Sequence, residues 1–167
     1  MARRLRPVEL DFAASAPLRL VFTTGLAAPP AAVYRSLAVE LASTPAWFSA
    51  VRSATPTHGG AGRTVRLKGG VEFRETILAT DPAARYAYRV DETNVPGLSA
   101  LLEEWVLSPT ADGTRVRWTM AVDGNRPCRV AMRLARPGVG KSFRDAMRNL
   151  ERRLTPARHP SPGSAPR

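Results

Sequence analysis

The sequence predicts an α+β domain in which a run of antiparallel strands is followed by an amphipathic helix. Between Val51 and Asp123, apolar side chains alternate with polar ones, and Gly, Pro and Asp separate the alternating segments. This pattern is typical of antiparallel strands that bury one face. Beyond Gly124 the apolar residues recur every three or four positions instead, which is the period of a helix. At 167 residues the chain is long enough for one domain with a substantial core.

The chain before Val51 predicts an arm, a strand and two short helices. Residues 1–16 are basic and then small and polar, and we expect a flexible N-terminal arm before a domain that spans residues 17–154. Leu18–Thr24 alternates like a strand. Pro29 and Pro30 open a helix, since proline fits a first helical turn, and Pro45 opens a second, shorter helix with Trp47 and Phe48.

The segment Val71–Ala79 contains one residue that breaks its own pattern. Val71, Phe73 and Ile77 share one face, and Glu75 has the same parity, so the pleat that buries them also points a carboxylate inward. A buried charge without a partner costs several kcal/mol or more, in rough terms, so an inward Glu indicates a partner, water or a ligand. Glu75 is therefore the first candidate for a functional residue.

The hairpin before Glu75 can be closed in two ways. A two-residue loop pairs Val65 with Arg74 and sets apolar side chains against charged ones. A three-residue loop, residues 68–70, pairs Val65 with Phe73 and supplies the glycine that a bulged hairpin needs. We choose the three-residue loop, which predicts that Arg63 lies opposite Glu75 on the inner face.

The remaining strands add aromatic residues to that face. Arg85–Val90 turns Tyr86 and Tyr88 inward, and the last hairpin forms around residues 111–113. Matching the apolar parities sets Trp105 across from Trp118, and Glu103 across from an apolar residue.

The C-terminal part predicts a broken helix and a tail. Val139, Phe143, Met147, Leu150 and Leu154 form one apolar stripe. Pro137-Gly138 is expected to separate this helix from a shorter basic one around Arg129–Arg136. Residues 155–167 hold four prolines and no large apolar residue, so we expect a disordered tail.

The net charge of +11 is concentrated near the C-terminus. Residues 1–123 carry 14 basic and 12 acidic side chains, whereas residues 124–167 carry 11 basic side chains and only two acidic ones. This basic segment predicts an acidic partner, either an acyl-carrier protein or an anionic membrane, and a solvated helix face remains the alternative. Specific nucleic-acid binding is not expected, because aromatic residues are not interleaved with the arginines.

Metal and cofactor sites are not expected. His58 and His159 lie far apart, and Cys128 is the only cysteine, so neither a ligand set nor a disulfide framework is complete. Ala135–Ser142 fits a loose phosphate-binding loop but lacks the preceding buried strand that such a loop requires. A lone cysteine and the absence of a long apolar run lead us to expect a cytoplasmic protein, and both a monomer and a homodimer stay open.

Five short motifs occur together in a familiar order. They are Pro30-x-x-Val33-Tyr34, Pro45-x-Trp47-Phe48-x-x-Val51, Gly62-x-x-Val65, Glu75-x-Ile77-x-x-x-Asp81-Pro82 and Gly113-Thr114-x-Val116-x-Trp118. In this order the chain resembles the START-like (SRPBCC) superfamily and, within it, the polyketide cyclase/dehydrase-type proteins, over about residues 18–154. The resemblance implies a helix-grip fold: a curved seven-stranded antiparallel sheet around a long C-terminal helix, with a cavity between them.

The resemblance also implies a function in that cavity. Such proteins bind lipids, polyketides or other small hydrophobic molecules, and some catalyse cyclisation or aromatisation, without an invariant catalytic motif to transfer. The charged segment 126–140 is longer than the family pattern leads us to expect. The residues expected to line the ligand site are Arg63, Phe73, Glu75, Tyr86, Tyr88, Glu103, Trp105, Trp118, Phe143 and Met147.

Two roles are open for the charged residues of this set. Glu75 beside Tyr88 could act as an acid or base in a polyketide cyclase or dehydratase, with the phenol or Arg63 polarising a ketone. Alternatively, Arg63 lowers the pKa of Glu75 and the two form a structural ion pair. Arg63 and Glu103 could also lie at strand ends, where an inward side chain still reaches water.

Overall fold

The structure, a computed structural model, describes residues 2–155 and consists of one sheet, three short helices and one long helix. The strands and helices follow in chain order, and their bounds are β1 Arg3–Arg4, α1 Phe12–Ser15, β2 Leu18–Leu26, α2 Pro30–Tyr34, α3 Thr44–Trp47, β3 Val51–Thr57, β4 Gly62–Leu67, β5 Glu72–Asp81, β6 Arg85–Thr93, β7 Leu98–Thr110, β8 Gly113–Gly124 and α4 Arg126–Leu154. A π-helical turn over Arg35–Val39 and a 3₁₀ turn over Leu41–Ser43 connect α2 to α3.

The sheet is antiparallel throughout. Seven strands lie in the order β2-β8-β7-β6-β5-β4-β3, and the two-residue β1 pairs with β6 outside this path. The sheet and the long terminal helix confirm the predicted helix-grip α+β fold. In this order the first long strand, β2, pairs with the last one, β8, and β2 and β3 form the two edges of the sheet.

The predicted register of the central hairpin is confirmed. Arg63 pairs with Glu75 and Val65 with Phe73, and the Leu67 amide donates to the Val71 carbonyl across the three-residue loop at 2.8 Å. Gly70 has a φ of 82°, the left-handed region that this bulged turn requires. The pairing of β4 with β5 therefore sets the Arg63 guanidinium beside the Glu75 carboxylate on the same face of the sheet.

The first 16 residues differ from the expected flexible arm. Besides the β1 pairing, Leu5 and Val8 are buried, and Phe12 and Ala13 of α1 pack against β7 and β8. The outer face of the sheet thereby gains an apolar cover. The alternation of Val8, Leu10 and Phe12 left a short strand open as an alternative, but the structure makes Phe12 the start of α1 and buries Val8 and Phe12 against β7 and β8, a tertiary contact that local spacing does not indicate.

α4 is one helix and not the two that Pro137-Gly138 predicted. Asn125 caps it, because its side chain accepts a hydrogen bond from the Cys128 amide at 3.0 Å. Pro137 lies inside the helix on an exposed stretch, where water can satisfy the carbonyl that proline leaves without a donor. Farther along, Gly140 packs against β2, and a methyl group there would come within 3.0 Å of the Phe22 ring.

The core lies between the inner face of the sheet and the C-terminal half of α4. Phe143, Met147 and Leu150 are at most 2% exposed and pack among residues from β2, β7 and β8. The expected tail, residues 155–167, lies outside the described residues apart from Thr155. No helix within residues 2–155 combines the length and apolarity that spanning a membrane demands.

Candidate ligand cavity

A cavity of about 290 Å³ lies between the sheet and the N-terminal part of α4. Most of its wall is apolar, and three of its lining residues, Arg63, Glu75 and Glu103, carry ionisable charged groups. The deep lining residues, such as Tyr88 and Trp105, are buried, whereas those at the rim are only half-buried. The mouth of the cavity lies between the β4–β5 turn, the β6–β7 loop and α4. Its half-buried rim residues are Leu67, Val71, Val95, Met132 and Val139.

Strand parity positions the aromatic floor of the cavity. Trp105 and Trp118 are direct partners on β7 and β8, and their rings stack with centroids 5.0 Å apart. Tyr86 and Tyr88 alternate on β6, with ring centroids 5.4 Å apart. Since alternate residues of a strand share a face, the rings form a continuous surface under the cavity.

Arg63 and Glu75 form a buried ion pair on this floor. The Arg63 Nε donates to Glu75 Oε2, and the two side chains are 9% and 2% exposed. The guanidinium also lies over the Tyr88 ring, 3.9 Å from its centroid. Arg63 therefore does not reach bulk water at a strand end, which removes that alternative.

Glu103 anchors a second buried hydrogen-bond network. Its Oε2 accepts the Tyr88 hydroxyl at 2.7 Å and the Trp118 Nε1–H at 3.0 Å. The Tyr88 oxygen in turn accepts the Trp105 Nε1–H at 3.1 Å. Every polar atom of the aromatic floor near Glu103 is thus used, while Glu103 Oε1 has no partner among the described residues.

Burial shifts the pKa values of the acidic groups upward. Burial raises the pKa of Glu75 to about 7, although the Arg63 guanidinium opposes this shift and the nearby Glu103 adds to it. Burial also raises the pKa of Glu103 against the opposing hydrogen bonds from Tyr88 and Trp118. The pKa of Tyr88 lies well above its usual value, chiefly through burial and the facing Glu103. The phenol is therefore a neutral donor at physiological pH.

The structure brings together eight of the ten residues that the sequence predicted for the site. Phe143 and Met147 are the two exceptions: they do not line the cavity. Phe143 stacks on Trp118 with centroids 5.8 Å apart and fills the space between the helix and the floor beside the cavity, and Met147 lies one turn farther along α4 in the same core. The cavity lies nearer the helix N-terminus, so Met132, Val139 and Ser142 form its helix side.

Sequence reasoning missed the wall that α3 contributes. Thr44 and Trp47 line the cavity, and both the Thr44 hydroxyl and the Trp47 indole N–H are buried without a hydrogen-bond partner among the described residues. The motif around Trp47 and Phe48 is the only sequence signal for this wall, and by itself it indicates the family resemblance but not a position in the cavity. All three tryptophans of the chain consequently border one cavity.

Metal or nucleotide chemistry finds no support in the part of the chain that the structure describes. Residues 2–155 contain no cluster of three His, Cys, Asp or Glu side chains able to hold a metal ion. The segment Ala135–Ser142 is helical within α4 and not a loop, so it cannot cradle phosphate with its backbone amides.

A hollow apolar chamber between a curved sheet and a terminal helix defines a helix-grip ligand-binding domain. The chain belongs to the polyketide cyclase / dehydrase and lipid transport family, whose pattern matches residues 18–155. It is also 31% identical over 156 residues to uncharacterized proteins of Mycobacterium tuberculosis and Mycobacterium bovis, covering 90% of this chain and 92% of each relative.

Solved structures show the same fold at low sequence identity. A START superfamily protein from Mycobacterium smegmatis has a TM-score of 0.63 at 12% identity, covering 81% of this chain and 96% of that one. Ginseng major latex-like protein 151 from Panax ginseng has a TM-score of 0.66 at 13% identity, covering 83% and 98%. XoxI from Bacillus cereus has a TM-score of 0.66 at 15% identity, covering 81% and 94%.

Proposed function

We propose that the protein binds a small, elongated apolar molecule whose buried end carries one neutral polar group. The single observation that carries this proposal is the charged corner of Arg63, Glu75 and Glu103 inside an otherwise apolar cavity of about 290 Å³. A solid core rarely contains three such groups, because removing a charge from water costs free energy even when the charge is paired. Ligand cavities, by contrast, typically combine apolar walls with a few polar groups.

The hydrogen bonds in this corner leave groups available to a ligand. Arg63 uses its Nε for Glu75, and Glu103 accepts both of its hydrogen bonds at one oxygen. The second Glu103 oxygen therefore remains for a ligand hydroxyl, and the terminal Arg63 nitrogens, which also approach Tyr86, can donate to a ligand oxygen. A ligand with a hydroxyl or carbonyl end can use them without adding charge.

The charges in the corner favour a neutral ligand end over an acidic one. Two carboxyl groups already face one guanidinium, and a ligand carboxylate would add a third acid to a buried site. The upward pKa shifts of Glu75 and Glu103 have the same origin. We therefore expect a fatty alcohol or ketone to bind more tightly than the fatty acid of equal length.

Calorimetric titrations with dodecanol and dodecanoate test this class of ligand. At pH 8 we expect dodecanol to bind at least tenfold more tightly, roughly 1.4 kcal/mol, and the preference to shrink near pH 5 as the carboxyl groups take up protons. Binding of neither molecule, or tighter binding of dodecanoate at pH 8, would refute the proposal. Native mass spectrometry of the purified protein would then identify any molecule that it retains.

A second candidate function is catalysis of cyclisation or dehydration on a polyketide-like substrate. The observation that favours it is a carboxyl group with a pKa of about 7 in an apolar cavity, since a general acid or base works best when its pKa lies near the working pH. Glu75 would move the proton. Tyr88 donates its hydroxyl hydrogen to Glu103. It would therefore position the Glu103 carboxyl group and would not take part in the reaction itself.

Turnover of a cyclisable polyketide mimic separates binding from catalysis. Glu75→Gln keeps the size of the side chain but cannot exchange a proton, so we expect product formation to fall by roughly two orders of magnitude or more while dodecanol still binds. Unchanged turnover in Glu75→Gln would remove Glu75 from the mechanism. The absence of product with the wild-type protein would leave binding alone as the function.

A further inference from the structure

The N-terminal half of α4 carries an apolar pair on its outer face. From Val130 to Gly138 the residues are exposed, with only Met132 partly covered. Val130 is 43% and Leu134 is 77% exposed, and residues four positions apart share one face of a helix. A single exposed apolar side chain is common, but here two lie on the same side of one helical turn among arginines, and nothing in residues 2–155 covers them.

Arginines without acidic partners surround this pair. The segment 126–140 contains four arginines and no acidic residue. Arg129 lies 3.6 Å from Asp123, whereas Arg126, Arg133 and Arg136 are exposed and have no carboxylate partner within the described residues. Farther along α4, Lys141 and Arg148 both pair with Asp145, whereas Arg144, Arg152 and Arg153 are exposed and also lack a carboxylate partner within the described residues. The N-terminal part differs in that residues 126–140 include no acidic side chain at all.

The same helical segment forms part of the cavity mouth. Met132 and Val139 line the cavity and are half-buried. Leu134 lies two positions beyond Met132, which places it on nearly the opposite side of the helix. The exposed apolar pair is therefore on the outer side of a helical segment whose inner side lines the cavity.

We infer that this face, the α4 docking surface of Arg126, Val130, Arg133 and Leu134, binds an anionic lipid bilayer. Leu134 and Val130 would enter the boundary between headgroups and acyl chains, while the guanidinium groups reach the phosphates above them. An acidic protein with an apolar contact patch would satisfy both the arginines and Leu134, so binding to such a protein without binding to vesicles is the outcome that would assign the surface to it instead. The inference rests on the surface alone and holds whether or not the cavity takes the ligand proposed above.

Co-sedimentation of the full chain with vesicles tests the inference. We expect binding to vesicles that contain phosphatidylglycerol and little binding to vesicles of phosphatidylcholine alone. Each arginine near an anionic surface contributes on the order of a factor of five in affinity, and added salt should weaken the binding because it screens these charges. Equal binding to both vesicle types, or none to either, would overturn the inference.

Matched variants test the arginines and the apolar pair separately. Arg126→Glu with Arg133→Glu should weaken vesicle binding at least tenfold. Arg115→Glu with Arg117→Glu makes the same change in net charge on exposed residues of β8 and should weaken it much less. Leu134→Gln should weaken binding severalfold, whereas Val39→Gln, at a residue that is 67% exposed elsewhere, should not.

The controls distinguish a specific surface from general attraction. All six substituted residues are exposed, so the variants should keep the wild-type melting temperature and their affinity for dodecanol in solution. A loss of vesicle binding of equal size in the β8 control would show attraction by net charge alone and contradict the inference. Unchanged binding in Leu134→Gln would show that the apolar pair does not enter the bilayer, which also contradicts it.

Discussion

The two halves of α4 serve different purposes within one continuous helix. The C-terminal half buries Phe143, Met147 and Leu150 in a close-packed core. The N-terminal half covers a cavity with Met132 and Val139 and exposes Leu134 and its neighbouring arginines. Because the C-terminal half packs in the core and the N-terminal half covers the cavity, stability and ligand binding should depend on different residues of the same helix.

Phe143→Ala should have the largest effect on stability. Its ring is 1% exposed and contacts Phe22, Trp105 and Trp118, so we expect the free energy of unfolding to fall by about 3–5 kcal/mol. Chemical denaturation measures this loss. Because Phe143 does not line the cavity, the dodecanol affinity of the protein that remains folded should change little. A loss of stability below about 1 kcal/mol would contradict the claim that the C-terminal half of α4 forms the close-packed core.

Glu75→Ala should have the next largest effect, and it concerns the cavity side. The substitution leaves the buried Arg63 without its acceptor, which should cost about 3 kcal/mol or more. Glu75→Gln is the matched control, because its amide oxygen can still accept from Arg63 and it resembles the protonated acid; we expect a cost of about 1 kcal/mol. Equal destabilisation by the two variants would argue against a buried pair.

Stability should fall as the pH rises through neutrality. The pKa of Glu75 is raised to about 7 in the folded protein, so the folded state binds more protons than the unfolded state between about pH 5 and pH 7. That stabilisation is present at low pH and is lost above pH 7, and Glu103 has a shift of the same sign. From about pH 5 to pH 8 we expect a loss of roughly 1–3 kcal/mol.

Denaturation curves of the wild-type protein and Glu75→Gln across that pH range measure this effect. Glu75→Gln should show a smaller slope, because the titrating group has been removed. A wild-type stability that stays flat between pH 5 and pH 8 would contradict the raised pKa, because it would mean that Arg63 keeps Glu75 ionised over the whole range.

Phe73→Ala should have the smallest effect on stability and a clear one on binding. Phe73 is only half-buried and lines the cavity, so we expect a loss of about 1 kcal/mol of stability. Its ring provides part of the ligand contact, and dodecanol affinity should fall roughly tenfold. Phe143→Ala should thus lower stability but not dodecanol affinity, and Phe73→Ala should mainly lower dodecanol affinity. Denaturation and calorimetry on both variants measure these effects, and a large loss of both quantities in either variant would show that core and cavity are not separate.

The sequence could predict the sheet side of the cavity because strand geometry is regular. The two-residue period and a choice of loop length were enough to set Arg63 opposite Glu75 and Trp105 opposite Trp118. Each of these predictions depends only on neighbouring strands. The inward position of Glu75, 5% exposed, follows from the same alternation.

The helix side could not be predicted in the same way. A stripe on α4 indicates which face is buried but not where along the axis the packing ends and the cavity begins, so Phe143 and Met147 were placed at the wrong depth. Pro137 indicated a break, yet the exposed N-terminal half tolerates it. The wall formed by Thr44 and Trp47 depends on how the short helices pack against the rest of the domain, and the spacing of apolar residues within a helix does not indicate this.

Intrinsic tryptophan fluorescence tests the central claim, an open cavity that takes an apolar ligand, because Trp47, Trp105 and Trp118 all border the cavity. Titration with dodecanol should give a saturable, one-to-one change in emission. Ala54→Phe, which places a ring in the cavity, should abolish that change. Thr55→Phe on the exposed face of the same strand should preserve it. No saturable change in the wild-type protein, or an undiminished change in Ala54→Phe, would contradict the claim.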